Sequence, residues 1–180
     1  MYKSEILAPV GSEEQLLAAV RSGADAVYLG TKSFNARRNA DNFDSFNLNE
    51  AVKYCHSYNV KVYVTLNTIV FDKELQELYD TIKEIAESQA DAVIVQDFAT
   101  VKAVKKICPS LPLHASTQMA IHNVSGVKVL EKLGFTRVVL ARELSFKEIE
   151  AIHRACPVPL EAFVHGALCV SYSGQCYASQ

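Results

Sequence analysis

Glu161, His165, Cys169 and Cys176 are concentrated in one stretch, P-V-P-L-E-A-F-V-H-G-A-L-C-V-S-Y-S-G-Q-C-Y-A-S-Q from Pro157 onward. A carboxylate and an imidazole are the groups that move protons near neutral pH, and paired thiols bind metals or act as nucleophiles. The stretch opens as a strand. Leu160, Ala162 and Val164 fall on one face and Glu161, Phe163 and His165 on the other, so the two catalytic candidates, Glu161 and His165, share a face with a large aromatic. Gly166 then releases the backbone into a polar loop carrying Cys169, Tyr172, Gly174 and Cys176. Such a loop can bring both sulfurs to one centre.

Something must hold that stretch in place, and the composition supplies the material. The chain has 180 residues, 49% hydrophobic and 21% charged, enough for a single globular domain over 1–180 with its own core. The formal charge is -2, from 18 basic and 20 acidic residues, so no overall pull towards nucleic acid is visible. Met1 to Ala8 lacks the apolar core of an export signal, and no run approaches the length of a membrane span. The expectation is a cytoplasmic protein without a membrane partner. In that setting five cysteines read as reduced thiols or metal ligands rather than as a disulfide framework.

Short apolar runs alternate with longer amphipathic ones. Strands are predicted at Ile6–Ala8, Asp25–Leu29, Val60–Leu66, Asp91–Val95, Pro112–Ala115, Arg137–Leu140 and from Leu160 to His165. Between them lie helices from the Ser12 cap to about Arg21, over Asn49–Tyr58, from the Asp72 cap to about Ser88, over Phe98–Ile107 and Val124–Leu133, and after the Ser145 cap. The blocks S-G-A-D-A-V at Ser22, S-Q-A-D-A-V at Ser88 and K-L-G-F-T-R-V-V at Lys132 recur at the same stage of a unit. Seven strands separated by helices predict an α/β fold, a (β/α) TIM-type barrel. Eight units usually occupy about 250 residues, so the barrel is expected to be incomplete, the N-terminal part of a longer protein. Open edges on the first and last strands would allow homo-oligomers.

Chemistry in such barrels sits at the C-terminal ends of the strands. The polar residues predicted there are Asn67, Gln96, Asp97, His114, Ser116, Gln118, Arg142 and Glu143; with Tyr172 of the cysteine loop they form the candidate substrate-binding set. Each has a plain reading beside the functional one. Asp97 and Ser145 are good helix caps. Glu161 could simply pair with Arg142, His165 could be a hydrogen-bonded structural residue, and the two loop thiols could pack. Buried histidine, arginine and glutamate need partners, however, which favours a site over a set of caps. Cys55, Cys108 and Cys156 lie in or at the ends of helices and read as packing residues.

The segment E-A-F-V-H-G-A-L-C-V-S-Y-S-G-Q-C-Y-A-S resembles the signature of the collagenase-like peptidase family U32. Glu161, Phe163, Gly166, Ala167, Leu168, Cys169, Gly174, Cys176 and Ser179 match its pattern, and Ala178 replaces a larger aliphatic residue. The blocks A-P-V-G-S, G-A-D-A-V-Y-L-G, N-A-R-R-N-A-D-N-F, V-T-L-N-T, V-Q-D, L-H-A-S-T-Q and V-L-A-R-E-L resemble the same family in the same order.

The resemblance implies two kinds of activity. One is the collagenase-like peptidase of the family's older label, acting on a peptide. The other is oxygen-independent hydroxylation, of ubiquinone precursors or of pyrimidines in transfer or ribosomal RNA, and the blocks are most similar to the ribosomal RNA branch. That group is associated with a [4Fe–4S] cluster held by four cysteines and, in some branches, with prephenate as oxygen donor. Cys169 and Cys176 match the first two cluster ligands, and the other two would lie further along. The sequence has neither H-E-x-x-H nor G-x-S-x-G, which leaves Cys169 with His165 as the conceivable peptidase dyad. An RNA enzyme would show a basic patch, with Arg37–Arg38 as the candidate here. A non-catalytic assembly role is the third reading.

Overall fold

The computed structural model describes residues 4–36, 43, 45–166 and 169–175, so Arg37, Arg38 and Cys176 lie outside the described residues. The chain forms two compact units, Met1–Leu111 and Pro112–Gln180. The first carries β1 (Leu7–Pro9), α1 (Glu13–Arg21), β2 (Ala26–Gly30), α2 (Ser45–Ser57), β3 (Lys61–Leu66), α3 (Leu75–Glu87), β4 (Ala92–Val95) and α4 (Phe98–Ile107). Its strands pair in sequence order, all parallel. The second carries β5 (Leu113–Ala115), α5 (Val124–Lys132), β6 (Arg137–Val139), α6 (Phe146–Ala155) and β7 (Leu160–Glu161), again parallel and in order. Seven strands separated by six helices, with the parallel pairing found in each unit, are what the apolar runs predict.

In the first unit β2, β3 and β4 are buried on both faces, as parallel strands covered by helices must be, while the edge strand β1 is half-buried to exposed. Val27, Leu29, Val62, Val64, Leu66, Val93 and Val95 are buried, as are Leu16, Leu48, Leu78, Ile82 and Val104 of the helices. On the other strand face Ala26, Tyr63, Ala92 and Ile94 cluster with Leu7 and Tyr28. The recurring A-D-A-V blocks have a backbone explanation. Asp25 and Asp91 stand just before β2 and β4; each donates its own N–H to the preceding strand, to Ile6 O (3.0 Å) and Val62 O (2.8 Å). Each carboxylate then accepts an N–H from that strand, from Ile6 (3.0 Å) and Val62 (2.7 Å). Thr136 repeats the theme before β6, donating both N–H (2.8 Å) and hydroxyl (3.2 Å) to Leu113 O.

Three boundaries differ from expectation. The second helix begins at Ser45, not Asn49, because Leu48, Val52 and Cys55 form one buried face that starts ahead of the asparagine. Asp72 does not cap α3: a 3-10 turn over Asp72–Glu74 precedes the helix, and the Glu74 carboxylate accepts the Phe71 N–H (2.8 Å). The seventh strand is two residues long rather than reaching His165. Its ladder with β6 ends where Leu140 N–H donates to Glu161 O (2.9 Å), and Ala141 N–H turns away to Ile121 O (3.1 Å). Beyond the end of that ladder residues 162–166 are exposed and lie in no strand, so the alternating faces drawn for Phe163 and His165 do not form.

Candidate functional site

The cysteine loop is tied down by the two residues that follow β6 on Leu140 and Ala141. Ser173, buried, is the knot. Its hydroxyl accepts from the Arg142 N–H (3.1 Å) and Nε (3.3 Å) and donates to Glu143 Oε1 (3.2 Å), using its one proton and both lone pairs. The Ser173 N–H also donates to Glu143 Oε1 (2.8 Å), while Arg142 Nη2 donates to Ser171 O (3.0 Å). On its other side the Glu143 carboxylate faces His122 Nε2 (3.3 Å), whose Nδ1 lies 2.7 Å from Ala120 O. Burial alone would raise the Glu143 pKa; hydrogen bonds from Ser173 N–H, its own backbone, the Ser173 hydroxyl and His122 hold it below the usual carboxylate value.

Gly174 completes the anchorage. Its φ of +77° is left-handed, and a Cβ there would stand 2.6 Å from Gln118 O, so the loop backbone lies directly on the turn after β5. Val170 and Tyr172 point into solvent. The loop is therefore held by polar contacts and close approach rather than by apolar burial.

Cys169 is exposed, and its thiol pKa is lowered, first by the Ser171 backbone N–H and then by the Arg142 guanidinium. A thiolate so supported suits a metal or a nucleophilic role. Cys55 is the opposite case: buried beside Asp91, its pKa is pushed up to about 11 by desolvation and by that carboxylate. Among the described residues no three metal-ligating side chains come together; of the two thiolates expected to hold a cluster, Cys169 alone lies among them.

The catalytic candidates do not converge. Glu161 pairs with Arg137 (3.6 Å) at the start of β6, not with Arg142, which is committed to the loop. His165 is exposed and makes no hydrogen bond to Cys169 or to any other described residue, so the dyad does not form in this structure. His114 is buried within β5 rather than on a rim; it pairs in register with Arg137, as Val139 does with Glu161, which places His114, Arg137 and Glu161 on one strand face.

The rim residues serve local structure. Ser116 accepts the Gln118 N–H (3.1 Å) in a 3-10 turn, Thr117–Met119. Tyr172, exposed, lends its carbonyl to the Gln175 N–H (3.0 Å). In the first unit Asp97 caps α4 through Ala99 N–H (2.6 Å) and also takes the Val70 N–H (3.3 Å), and Asn67 accepts the Ala36 N–H (3.1 Å). Gln96 is half-buried beside that cap. Sequence reasoning missed His122, Ser171, Ser173 and Arg137. None of these carries a signal that sets it apart in the sequence.

A profile of peptidase family U32 matches residues 11–180. The chain belongs to peptidase family U32. Among U32 relatives, the chain is 44% identical to the 23S rRNA 5-hydroxycytidine C2501 synthase of Escherichia coli (strain K12) over 178 residues, 99% of this chain and 27% of that protein. It is 37% identical to the tRNA hydroxylation protein P1 of Bacillus subtilis (strain 168) over 177 residues, 98% of this chain and 42% of that protein. The chain thus spans less than half the length of these curated relatives. The solved structure of the U32 peptidase Mk0906 superposes with a TM-score of 0.72 at 17% identity, covering 90% of this chain and 70% of that one. The likeness shows the fold, the (β/α)-barrel type expected from the sequence.

Proposed function

We propose that this chain is part of an oxygen-independent hydroxylase of pyrimidines in ribosomal or transfer RNA, with Cys169 and Cys176 as thiolate ligands of a [4Fe–4S] cluster. The observation that carries the reading is the Cys169 sulfur, exposed yet supported by a guanidinium and a backbone N–H on a loop fixed by Arg142 and Glu143. The similarity to proteins named for hydroxylation of ribosomal and transfer RNA supports the substrate class. Such a cluster supplies electron transfer when bound. This chain's own part is to hold the thiolate at the surface, where solvent and a large polymer can reach it. Glu161, beside Arg137, is the carboxylate proposed to move a proton, and a small anionic compound such as prephenate is the proposed oxygen donor.

Nucleoside mass spectrometry decides the substrate. RNA from cells lacking the full-length protein should lose one hydroxylated pyrimidine, restored by the wild-type gene and not by Cys169→Ala. An unchanged nucleoside profile would sink the RNA reading. The lowered Cys169 pKa also suits a thiol peptidase, the second reading; cleavage of denatured collagen, lost in Cys169→Ala, would select it. Neither activity would leave a scaffold. No helix among the described residues is long and apolar enough to cross a membrane, which accords with the cytoplasm as the proposed location.

A further inference from the structure

We infer that Arg142, Glu143 and His122 are positioning residues that preset the geometry of the Cys169 sulfur. A surface loop that turns Val170 and Tyr172 to solvent gains little from apolar burial, so its conformation depends on its polar ties. Those ties form one uninterrupted chain: Ala120 O to His122, His122 to Glu143, Glu143 to Ser173, Ser173 to Arg142, and Arg142 to Ser171 O, two residues from Cys169. Every group on the Ser173 side chain is used, and its buried N–H has Glu143 as acceptor.

The arrangement also explains why both charged residues are needed. Arg142 alone would fix Ser171 but leave the Ser173 N–H without an acceptor, which is costly in a buried site. Glu143 alone would hold Ser173 but not the turn that bears the cysteine. His122 orients the carboxylate by engaging its second oxygen (3.3 Å) while anchored on the backbone at Ala120 (2.7 Å). The set spans the turn after β5, the end of β6 and the cysteine loop, all within the second unit. Arg142 and Glu143, substrate-binding candidates by sequence, are spent on the loop instead, and all three residues act through Cys169.

The test uses full-length protein carrying Glu143→Ala, Glu143→Gln, Arg142→Lys or His122→Ala. Amide exchange in the segment 169–175 should rise by about tenfold or more in Glu143→Ala, as expected when a buried N–H loses a charged acceptor, and by less in Glu143→Gln, which keeps one acceptor oxygen. Exchange in β2–β4 should not change. In metal-free protein the rate of iodoacetamide reaction at Cys169 should shift in Arg142→Lys and Glu143→Ala. Only a last arm, the midpoint potential of the bound cluster, rests on the reading given above. Iron-free wild-type protein would defeat that reading and leave the exchange and alkylation arms to decide the positioning role. The inference is overturned if loop exchange is unchanged, or if it rises while the alkylation rate stays at the wild-type value.

Discussion

Alanine at Gly174 is the sharpest structural perturbation available, because two separate costs meet at one methyl group. The residue sits at φ +77°, and the added Cβ would lie 2.6 Å from the Gln118 carbonyl oxygen and 3.2 Å from the Ala120 Cβ. Left-handed backbone costs an L-residue about 1–2 kcal/mol. The contact with a backbone oxygen cannot be relieved by a rotamer change, and overpacking of this sort costs about 1–3 kcal/mol. Together the substitution should cost roughly 2–5 kcal/mol. Gly23→Ala is the matched control: its φ is +87°, but nothing lies within 4 Å of the added methyl. It should show the conformational cost alone, about 1–2 kcal/mol. The assay is native-state amide exchange of residues 169–175 for Gly174→Ala and of the α1 C-terminus for Gly23→Ala, beside urea denaturation of both. Exchange in the loop should accelerate by at least about tenfold, since tenfold corresponds to about 1.4 kcal/mol. Equal costs for the two substitutions would show that the loop does not rest on the turn after β5, and the close-packed description of the site would fail.

Other expectations follow from the same contacts. Asp97→Ala removes the cap of α4 and the tie to Val70, and should lower stability by about 1–2 kcal/mol, read by thermal unfolding; loss of RNA product with an unchanged Tm would instead make Asp97 a site residue. Iodoacetamide should label Cys169 well before Cys55, because the first thiol has a lowered pKa and the second is buried with a pKa of about 11; peptide mapping showing Cys55 first would contradict both assignments. Acid should release the loop. Since the folded Glu143 pKa is depressed, its stabilising contribution is full above the ordinary glutamate value of about 4.3 and is lost as pH falls through the folded value. Loop exchange corrected for its intrinsic pH dependence should therefore rise below about pH 4 in the wild type and show no such step in Glu143→Gln.

The strands and helices were legible because their signals are local. D-A-V-I-V and V-K-V-Y-V-T-L are continuous apolar or alternating runs, and Asp97 and Ser145 stand where a cap must stand. The length of β7 was not legible, because it is set by where β6 stops pairing, and nothing in L-E-A-F-V-H records that. The pairing of Glu161 went wrong for a related reason: Arg137 and Arg142 are both near in sequence, and only the register Val139 to Glu161 decides that Arg137 faces it. The anchorage of the cysteine loop was half visible. Arg142, Glu143 and Cys169 stood out by residue type, but the contact that joins them runs through Ser173, 31 residues from Arg142, and serines on polar loops are too common to single out.

The central claim is that the loop held by Arg142 and Glu143 presents Cys169 as a metal-binding thiolate. Anaerobic iron and sulfide analysis with a visible spectrum, on the full-length protein and its Cys169→Ala, Cys176→Ala double variant, tests it most directly. The account predicts stoichiometric iron and sulfide in the wild type and loss of both in the variant. Wild-type protein without iron, or a variant that keeps it, would contradict the claim.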